Sequence, residues 1–275
     1  MIECRDISFS YPDGHLALNE VSVRFTSGER VALVGQNGAG KSTLSKLLNG
    51  LITPSAGEVL LDETSLADLR SDQIAQRIGY VFQNPNDQIF CTSVHHECAY
   101  ALERRKALTA EDIDQRISDA LEVCDLTDET ETNPLDLPLA QRKFVTCAAA
   151  LALRPNYLII DEPTAGLDDL GRETLSGILQ WASQEGICVI AVSHDMRFVI
   201  ENFPRVVVMS EGTIICDDTA SSVFANEAVL ERSYLRVPPG VEVARRAGAS
   251  PDLITLDALH TFFNQVFTTT ESRER

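Results

Sequence analysis

Gly35-Gln36-Asn37-Gly38-Ala39-Gly40-Lys41-Ser42-Thr43 is a G-x-x-x-x-G-K-[ST] phosphate loop. Its glycines let successive backbone N–H groups wrap phosphate oxygens, Lys41 supplies a mobile point charge, and Ser42 offers a hydroxyl to magnesium. That chemistry needs a strand before the loop and a helix after it. The apolar run Val31-Ala32-Leu33-Val34 predicts the strand, and Leu44, Leu47, Leu48 and Leu51 recur at helical spacing. A turn that merely joined strand to helix would have no use for a lysine and a hydroxyl at these positions. The motif therefore marks a protein that handles a nucleoside triphosphate. A second run, Tyr157-Leu158-Ile159-Ile160-Asp161-Glu162, is an apolar strand ending in two acids. Asp161 is suited to hold magnesium through water and Glu162 to polarise an attacking water. Alone the acid pair reads equally as a solvated turn; beside the phosphate loop it completes a nucleotide site.

The elements that must position these groups are legible at coarse scale. Runs around Ile7-Ser8-Phe9-Ser10-Tyr11 and Val21-Ser22-Val23-Arg24-Phe25, separated by Pro12-Asp13-Gly14, predict a small antiparallel sheet feeding the phosphate-loop strand. From about 65 to 150 the pattern turns largely helical, as in Glu111 to Leu126, and reads as a helical insertion. Strand-like runs return at Tyr157–Ile160, Ile187–Val192 and Val206–Met209 with helices between, which implies a mainly parallel sheet covered on both faces. Past residue 237, Pro238-Pro239-Gly240 opens a tail with Leu256, Leu259, Phe262, Phe263, Val266 and Phe267 at helical spacing.

Composition narrows the partners. With 41 acidic and 23 basic residues among 275, the net charge of -18 opposes contact with a nucleic-acid backbone or an anionic membrane surface. No run approaches the roughly 20 apolar residues that span a bilayer, and Met1-Ile2-Glu3-Cys4-Arg5-Asp6 lacks a signal-peptide layout. The expectation is a soluble cytoplasmic chain with no direct membrane insertion. The seven cysteines contain no C-x-x-C pair and read as reduced thiols in or near a core.

Asp161-Glu162-Pro163-Thr164-Ala165-Gly166-Leu167-Asp168 resembles the end of the Walker B motif and the D-loop (Ala165, Gly166, Leu167, Asp168) of ATP-binding cassette ATPases, and the similarity covers most of the chain. It implies an α/β P-loop NTPase with a mainly parallel RecA-like sheet, an N-terminal antiparallel β subdomain and a helical subdomain. The ATPase domain would run over 1–236, with the helical subdomain at about 84–153 and a helical appendage over 237–275. The resemblance further implies ATP and Mg2+ as ligands. Tyr11 matches the aromatic that stacks on adenine, Gln83 the Q-loop glutamine, and His194, in Val192-Ser193-His194-Asp195, the switch histidine at the γ-phosphate. The implied catalytic set is Glu162, His194, Lys41 and Gln83; the implied magnesium set is Ser42, Gln83 and Asp161.

Within that family, Phe82-Gln83-Asn84-Pro85-Asn86-Asp87-Gln88-Ile89-Phe90 is similar to the Q-loop of energy-coupling factor and cobalt-type importer ATPases. That likeness implies an integral membrane partner docked near Gln83–Phe90 and a location on the cytoplasmic face of the membrane. The tail is similar to the appendage that joins two such ATPases, so the stripe from Leu256 to Phe267 is either an interface or packing on its own domain. His95-His96-Glu97 resembles a metal cluster only superficially; a solvated helix face is the better reading.

One motif departs from the pattern. The family's Leu-Ser-Gly-Gly-Gln signature is represented here by Leu137-Pro138-Leu139-Ala140-Gln141. The family's segment reaches the nucleotide of the opposite subunit. Here Pro138 removes a hydroxyl and a backbone donor, while Leu139 and Ala140 add side chains where backbone must approach closely. If these donors act like those of an oxyanion hole, each loss costs on the order of a hundredfold in rate. A homodimer carries that defect in both sites, a heterodimer in one. The expectation is a second, unlike ATPase subunit with an intact signature. The rivals are a soluble non-transport cassette ATPase and a regulatory subunit that binds ATP with little turnover.

Overall fold

The computed structural model describes residues 1–105, 108–250, 254–255, 258–262 and 264. Alternating side chains in β1 (Ile2–Ser10) and β2 (Leu16–Phe25) pair antiparallel around the Pro12-Asp13-Gly14 turn, which is closed by bonds from Tyr11 N to His15 O (2.9 Å) and from Gly14 N to Tyr11 O (2.9 Å). β3 (Arg30–Val34) is buried along nearly its whole length and runs into the phosphate loop and α1 (Lys41–Leu48). The helix stops at Leu48, so Leu51, expected on its apolar face, lies beyond it and exposed. The chain turns there at Gly50, whose φ of 67° belongs to the left-handed region that ends helices. β4 (Ala56–Leu61) and β5 (Thr64–Ser65) then complete a small sheet in the order β2-β1-β4-β5.

The stretch expected to be helical from residue 65 is interrupted. After α2 (Ser71–Ala75) comes β6 (Ile78–Val81), a strand of four residues including Gly79, too short to register as a periodic pattern. The helices α3 (Val94–Leu102), α4 (Ala110–Val123) and α5 (Leu139–Ala152) follow as the insertion. Thr109 and Asp112 form a reciprocal cap at the start of α4. The chain returns to the sheet through β7 (Tyr157–Asp161), α6 (Asp169–Gln184), β8 (Cys188–Val192), α7 (Met196–Asn202), β9 (Arg205–Ser210) and β10 (Thr213–Thr219), ending in α8 (Ala220–Ala225), α9 (Glu227–Ser233) and α10 (Pro239–Arg246).

The large sheet has the order β10-β9-β3-β8-β7-β6 and is parallel except for β10. Alternate residues of its strands serve two cores. Val31, Leu33, Ile159, Ile190 and Val207 face the small sheet and Leu44, Leu47 and Leu48 of α1. Ala32, Val34, Leu158, Ile160, Val189 and Val208 face the other helices, including the insertion. This double burial is why the strands read as continuous apolar runs. The register matters most for function. Leu33 of β3 lies opposite Val192 of β8, which lies opposite Asp161 of β7, so the loops leaving these strands emerge side by side.

In the tail, Val241 and Ala244 of α10 pack with Ile254 and Leu259 on the second core, with Phe262 partly buried against it. These residues favour packing on the chain's own domain. Leu256, Phe263, Val266 and Phe267 lie outside the described residues.

A nucleotide cleft at the carboxyl ends of the parallel strands

The loop after β3 is shaped by close backbone approach. At Gly35 (φ 146°) a Cβ would lie 2.1 Å from Met209 O, and at Gly40 (φ 99°) one would lie 2.7 Å from Ala17 O, so neither position admits a side chain. Gly40 immediately precedes α1, whose first turn directs open N–H groups back at the loop. Lys41, buried by its neighbours, donates from Nζ to Gly35 O (2.8 Å) and Gln36 O (2.9 Å). Burial lowers its pKa while the carboxylates of Glu162 and Asp161 oppose that shift. The ammonium is thus held at the loop by weak carbonyl partners that a phosphate outcompetes.

A cleft of about 570 Å³ opens over this loop. Asn37, Gly38, Gly40, Lys41, Ser42 and Thr43 form its floor. Asp161, Glu162, His194, Tyr11 and Gln83 also line it. The structure therefore brings together the phosphate loop, the acid pair, the switch-histidine position, the Q-loop glutamine and the aromatic at the end of β1. Gly35, Gln36 and Ala39 shape the loop without lining the cleft, Ala39 being buried. The Tyr11 hydroxyl hydrogen-bonds with Thr43 Oγ1 (3.1 Å), and Phe9 meets the Tyr11 ring edge-on at 5.0 Å. His15 lines the same cleft and was not singled out from the sequence, where nothing distinguishes it from an ordinary turn residue.

The acid pair and histidine are set by neighbouring strand ends. Glu162 takes a left-handed φ of 49°, and its N–H donates to Val192 O (2.9 Å), which ties it to β8. Its side chain is 14% exposed and its Oε1 lies 2.9 Å from His194 Nε2. Burial and the Lys41 ammonium lower the His194 pKa below its ordinary 6.5, so the imidazole is neutral at pH 7 and donates Nε2–H to the carboxylate. Burial, then the adjacent Asp161, raises the Glu162 pKa above 4.5. Burial likewise raises Asp161, against the attraction of Lys46 and Lys41. A carboxylate with a raised pKa, bonded to a neutral imidazole beside an ammonium, is equipped to take a proton from water.

The turn that carries His194 is held by flanking residues to which the sequence reading gave no role. The Asp195 N–H donates to Ser193 Oγ (3.1 Å), Asp195 Oδ1 accepts the Phe198 N–H (3.1 Å) to cap α7, and Arg172 of α6 hydrogen-bonds Asp195 Oδ2. The hydroxyl of Ser42, the amide of Gln83 and the carboxylate of Asp161 offer oxygens into one cleft, a donor set that fits a hard divalent cation. Among the described residues, no cluster of three or more His, Cys, Asp or Glu fits a metal ion. His95-His96-Glu97 is not the solvated helix face expected: His96 is exposed, but Glu97 is buried and its Oε2 accepts the Phe90 (3.1 Å) and Cys91 (2.8 Å) N–H groups.

The signature segment sits outside the cleft. Pro138 (φ -55°, ψ 152°) is the N-cap of α5, one position earlier than a place in the first turn, and Leu139 is the first helical residue. The helix start forms and keeps the open N–H groups of Leu139, Ala140 and Gln141. Leu139 is 48% exposed and one of its methyls comes within 3.4 Å of the place a Cβ on Gly166 would occupy, so an apolar side chain lies over the D-loop. Asp168, the last D-loop residue, caps α6 by accepting the Gly171 N–H (2.8 Å).

A triphosphate loop, an acid pair and a neutral histidine at adjoining strand ends, with a helical insertion leading back to the acid strand, define a cassette ATPase. The chain belongs to the ABC transporter family, whose family model matches residues 18–165, and it is an ATP-binding, ATP-hydrolysing member of that family. It is 37% identical over 249 residues to the energy-coupling factor transporter ATP-binding protein EcfA of Methanothermobacter thermautotrophicus, covering 90% of this chain and 79% of the relative. The EcfA of Methanococcus maripaludis is 34% identical, with 86% of each chain covered. In structure it is similar to cbiO1 of Clostridium perfringens, part of the ABC transporter complex cbiONQ (TM-score 0.77, 31% identity, 90% of this chain and 98% of that one). It is also similar to the cassette MJ0796 in a dimeric post-hydrolysis state bound to ADP and Pi (TM-score 0.71, 26% identity, 80% of this chain and 99% of that one). No helix among the described residues is long and apolar enough to cross a membrane.

Proposed function

We propose that this chain hydrolyses ATP at its own phosphate loop as one of two unlike ATPase subunits that energise an energy-coupling-factor-type importer of a vitamin or a transition metal. The observation that carries the reading is the 2.9 Å Glu162–His194 contact beside Lys41 in one cleft. In this account the ATP phosphates replace the Gly35 and Gln36 carbonyls as partners of Lys41, and Tyr11 stacks on adenine. Water attacks the γ-phosphorus as the Glu162 carboxylate accepts its proton; the bond to the β-phosphate oxygen breaks and ADP and phosphate leave. His194, neutral and carrying its proton on Nε2, turns that N–H to the γ-phosphate oxygens as negative charge gathers there. Ser42, Gln83 and Asp161 would hold Mg2+, which when bound offsets the charge of the phosphates.

The remaining donors come from another subunit. Pro138-Leu139-Ala140 is a poor cradle for a γ-phosphate, so a partner with an intact signature would complete this chain's cleft, and the partner's own nucleotide would turn over slowly against this segment. The Q-loop surface supports a membrane partner: Phe82 and Phe90 are exposed, and Phe90 packs edge-on with Tyr100 at 4.6 Å. The chain would then sit peripherally on the inner face of the membrane, bound through an integral membrane subunit and to no nucleic acid. Purifying the chain alone and co-expressed with its unlike partner tests the reading. ATP turnover should be slow alone and restored in the pair; vigorous hydrolysis by a purified homodimer would contradict it, as would co-purification with ribosomes instead of a membrane protein.

A further inference from the structure

Lys143 is a buried cation on α5, with a relative exposure of 2%, beside the buried Phe144, Val145 and Cys147. Its Nζ donates to three backbone carbonyls, those of Glu162 (2.9 Å), Pro163 (3.2 Å) and Ala165 (2.9 Å). These acceptors span the turn that carries Glu162, held at a left-handed φ of 49°, and opens the D-loop. All three ammonium protons are therefore committed to one turn, in a site where burial disfavours the charge. An apolar side chain would pack this helix at lower desolvation cost, so the cation is retained against its packing preference. Its neighbour Arg142 binds in the other direction. Arg142 donates to Leu137 O (2.8 Å) of the signature segment, to Leu135 O (2.6 Å) of the turn before it and to Asn86 Oδ1 (3.0 Å) of the Q-loop.

We propose that Lys143 is a positioning residue for hydrolysis: it straps the Glu162–Ala165 turn to the start of α5, so that the signature segment, the Q-loop and the turn bearing the catalytic carboxylate move together. The inference rests on the reading of Glu162 as the base. It requires no contact between Lys143 and nucleotide, and so separates turnover from binding. When the α5 start is drawn toward a partner's nucleotide, the strap carries the displacement to this chain's own acid pair. The same strap passes a movement at Asn86 to that turn through Arg142 and the helix.

The test compares Lys143→Gln, which keeps two N–H donors without the charge, and Lys143→Met, which keeps length and packing without donors, in the assembled complex. Misplacing a reacting group by about 1 Å costs on the order of a hundredfold, so kcat should fall roughly 10- to 100-fold in Lys143→Met and by a smaller factor, roughly 3- to 10-fold, in Lys143→Gln, with KM for ATP unchanged. Should Lys143→Met fail to fold, Lys143→Gln decides alone: reduced kcat at unchanged KM supports the strap, and wild-type kcat overturns it. A fall in kcat matched by a rise in KM or by a loss of folded protein also overturns it, because lost packing alone would produce that pattern. Glu162→Gln measured alongside separates the two claims. If that variant still turns over, the reading of the base fails; if it is inactive while both Lys143 variants match wild type, only the strap fails.

Discussion

At the scale of single residues, the cleft couples two groups, Glu162 and His194, whose pKa values burial shifts in opposite directions. Glu162 has a raised pKa and must be ionised to act as a base, so its protonated, inactive form persists to higher pH than in a free glutamate. The acid limb of the kcat/KM profile, which reports the free enzyme, should accordingly lie above pH 4.5, the ordinary carboxyl value, and a limb at or below that value would contradict the assignment. His194 is already neutral at pH 7, so raising the pH above neutrality should not deprive it of a needed proton. Replacing it, His194→Ala, should cost on the order of a hundredfold in kcat while leaving nucleotide binding, measured by fluorescence titration, within about twofold. Lys41, Ser42, Asp161 and Glu162 could be picked out of the sequence because nucleotide chemistry asks for those residue types at strand ends and in the phosphate loop, whereas His194 was picked out only through the family resemblance. Lys143 was not. A lysine two positions past Gln141 has no spacing rule that marks it, and only the fold reveals that the Glu162, Pro163 and Ala165 carbonyls converge on it.

At the scale of elements, the same contrast holds. β3, β7 and β8 announced themselves as apolar runs because both faces of the parallel sheet are covered. β4 and β6 did not. The first contributes only Val59-Leu60-Leu61 as buried residues, the second spans four residues with a glycine, and long-range pairing rather than local pattern makes each a strand. The Q-loop depends on Glu97, whose carboxylate accepts the Phe90 and Cys91 N–H groups. Glu97→Ala leaves those donors unsatisfied and should lower stability by about 1–3 kcal/mol, read as a lower thermal midpoint with ATP affinity retained. At the phosphate loop, Gly35→Ala would drive a methyl into Met209 O, and the required shift should cost at least about 2 kcal/mol and abolish nucleotide binding by displacing Lys41. Unaltered binding by that variant would remove the argument for close approach at the end of β3.

At the scale of the whole molecule, asymmetry is the organising idea. In the proposed pair this chain supplies a phosphate loop, acid pair and histidine, yet would present Pro138-Leu139-Ala140 to its neighbour. Pro138 occupies the N-cap position of α5 without a side-chain capping bond, and the helix still forms from Leu139, so in this account the change affects chemistry and not the fold. Restoring the segment with Pro138→Ser, Leu139→Gly and Ala140→Gly together should therefore raise ATP turnover by the purified chain alone, by on the order of a hundredfold, even though glycine at the start of α5 costs about 1 kcal/mol of helix stability. The central claim, that hydrolysis belongs to this chain's own phosphate loop within an unlike pair, is tested most directly by steady-state ATP turnover of the assembled complex carrying Glu162→Gln on this chain alone. The account predicts that turnover is abolished while ATP still binds; turnover near the wild-type rate would place hydrolysis in the other cleft and contradict it.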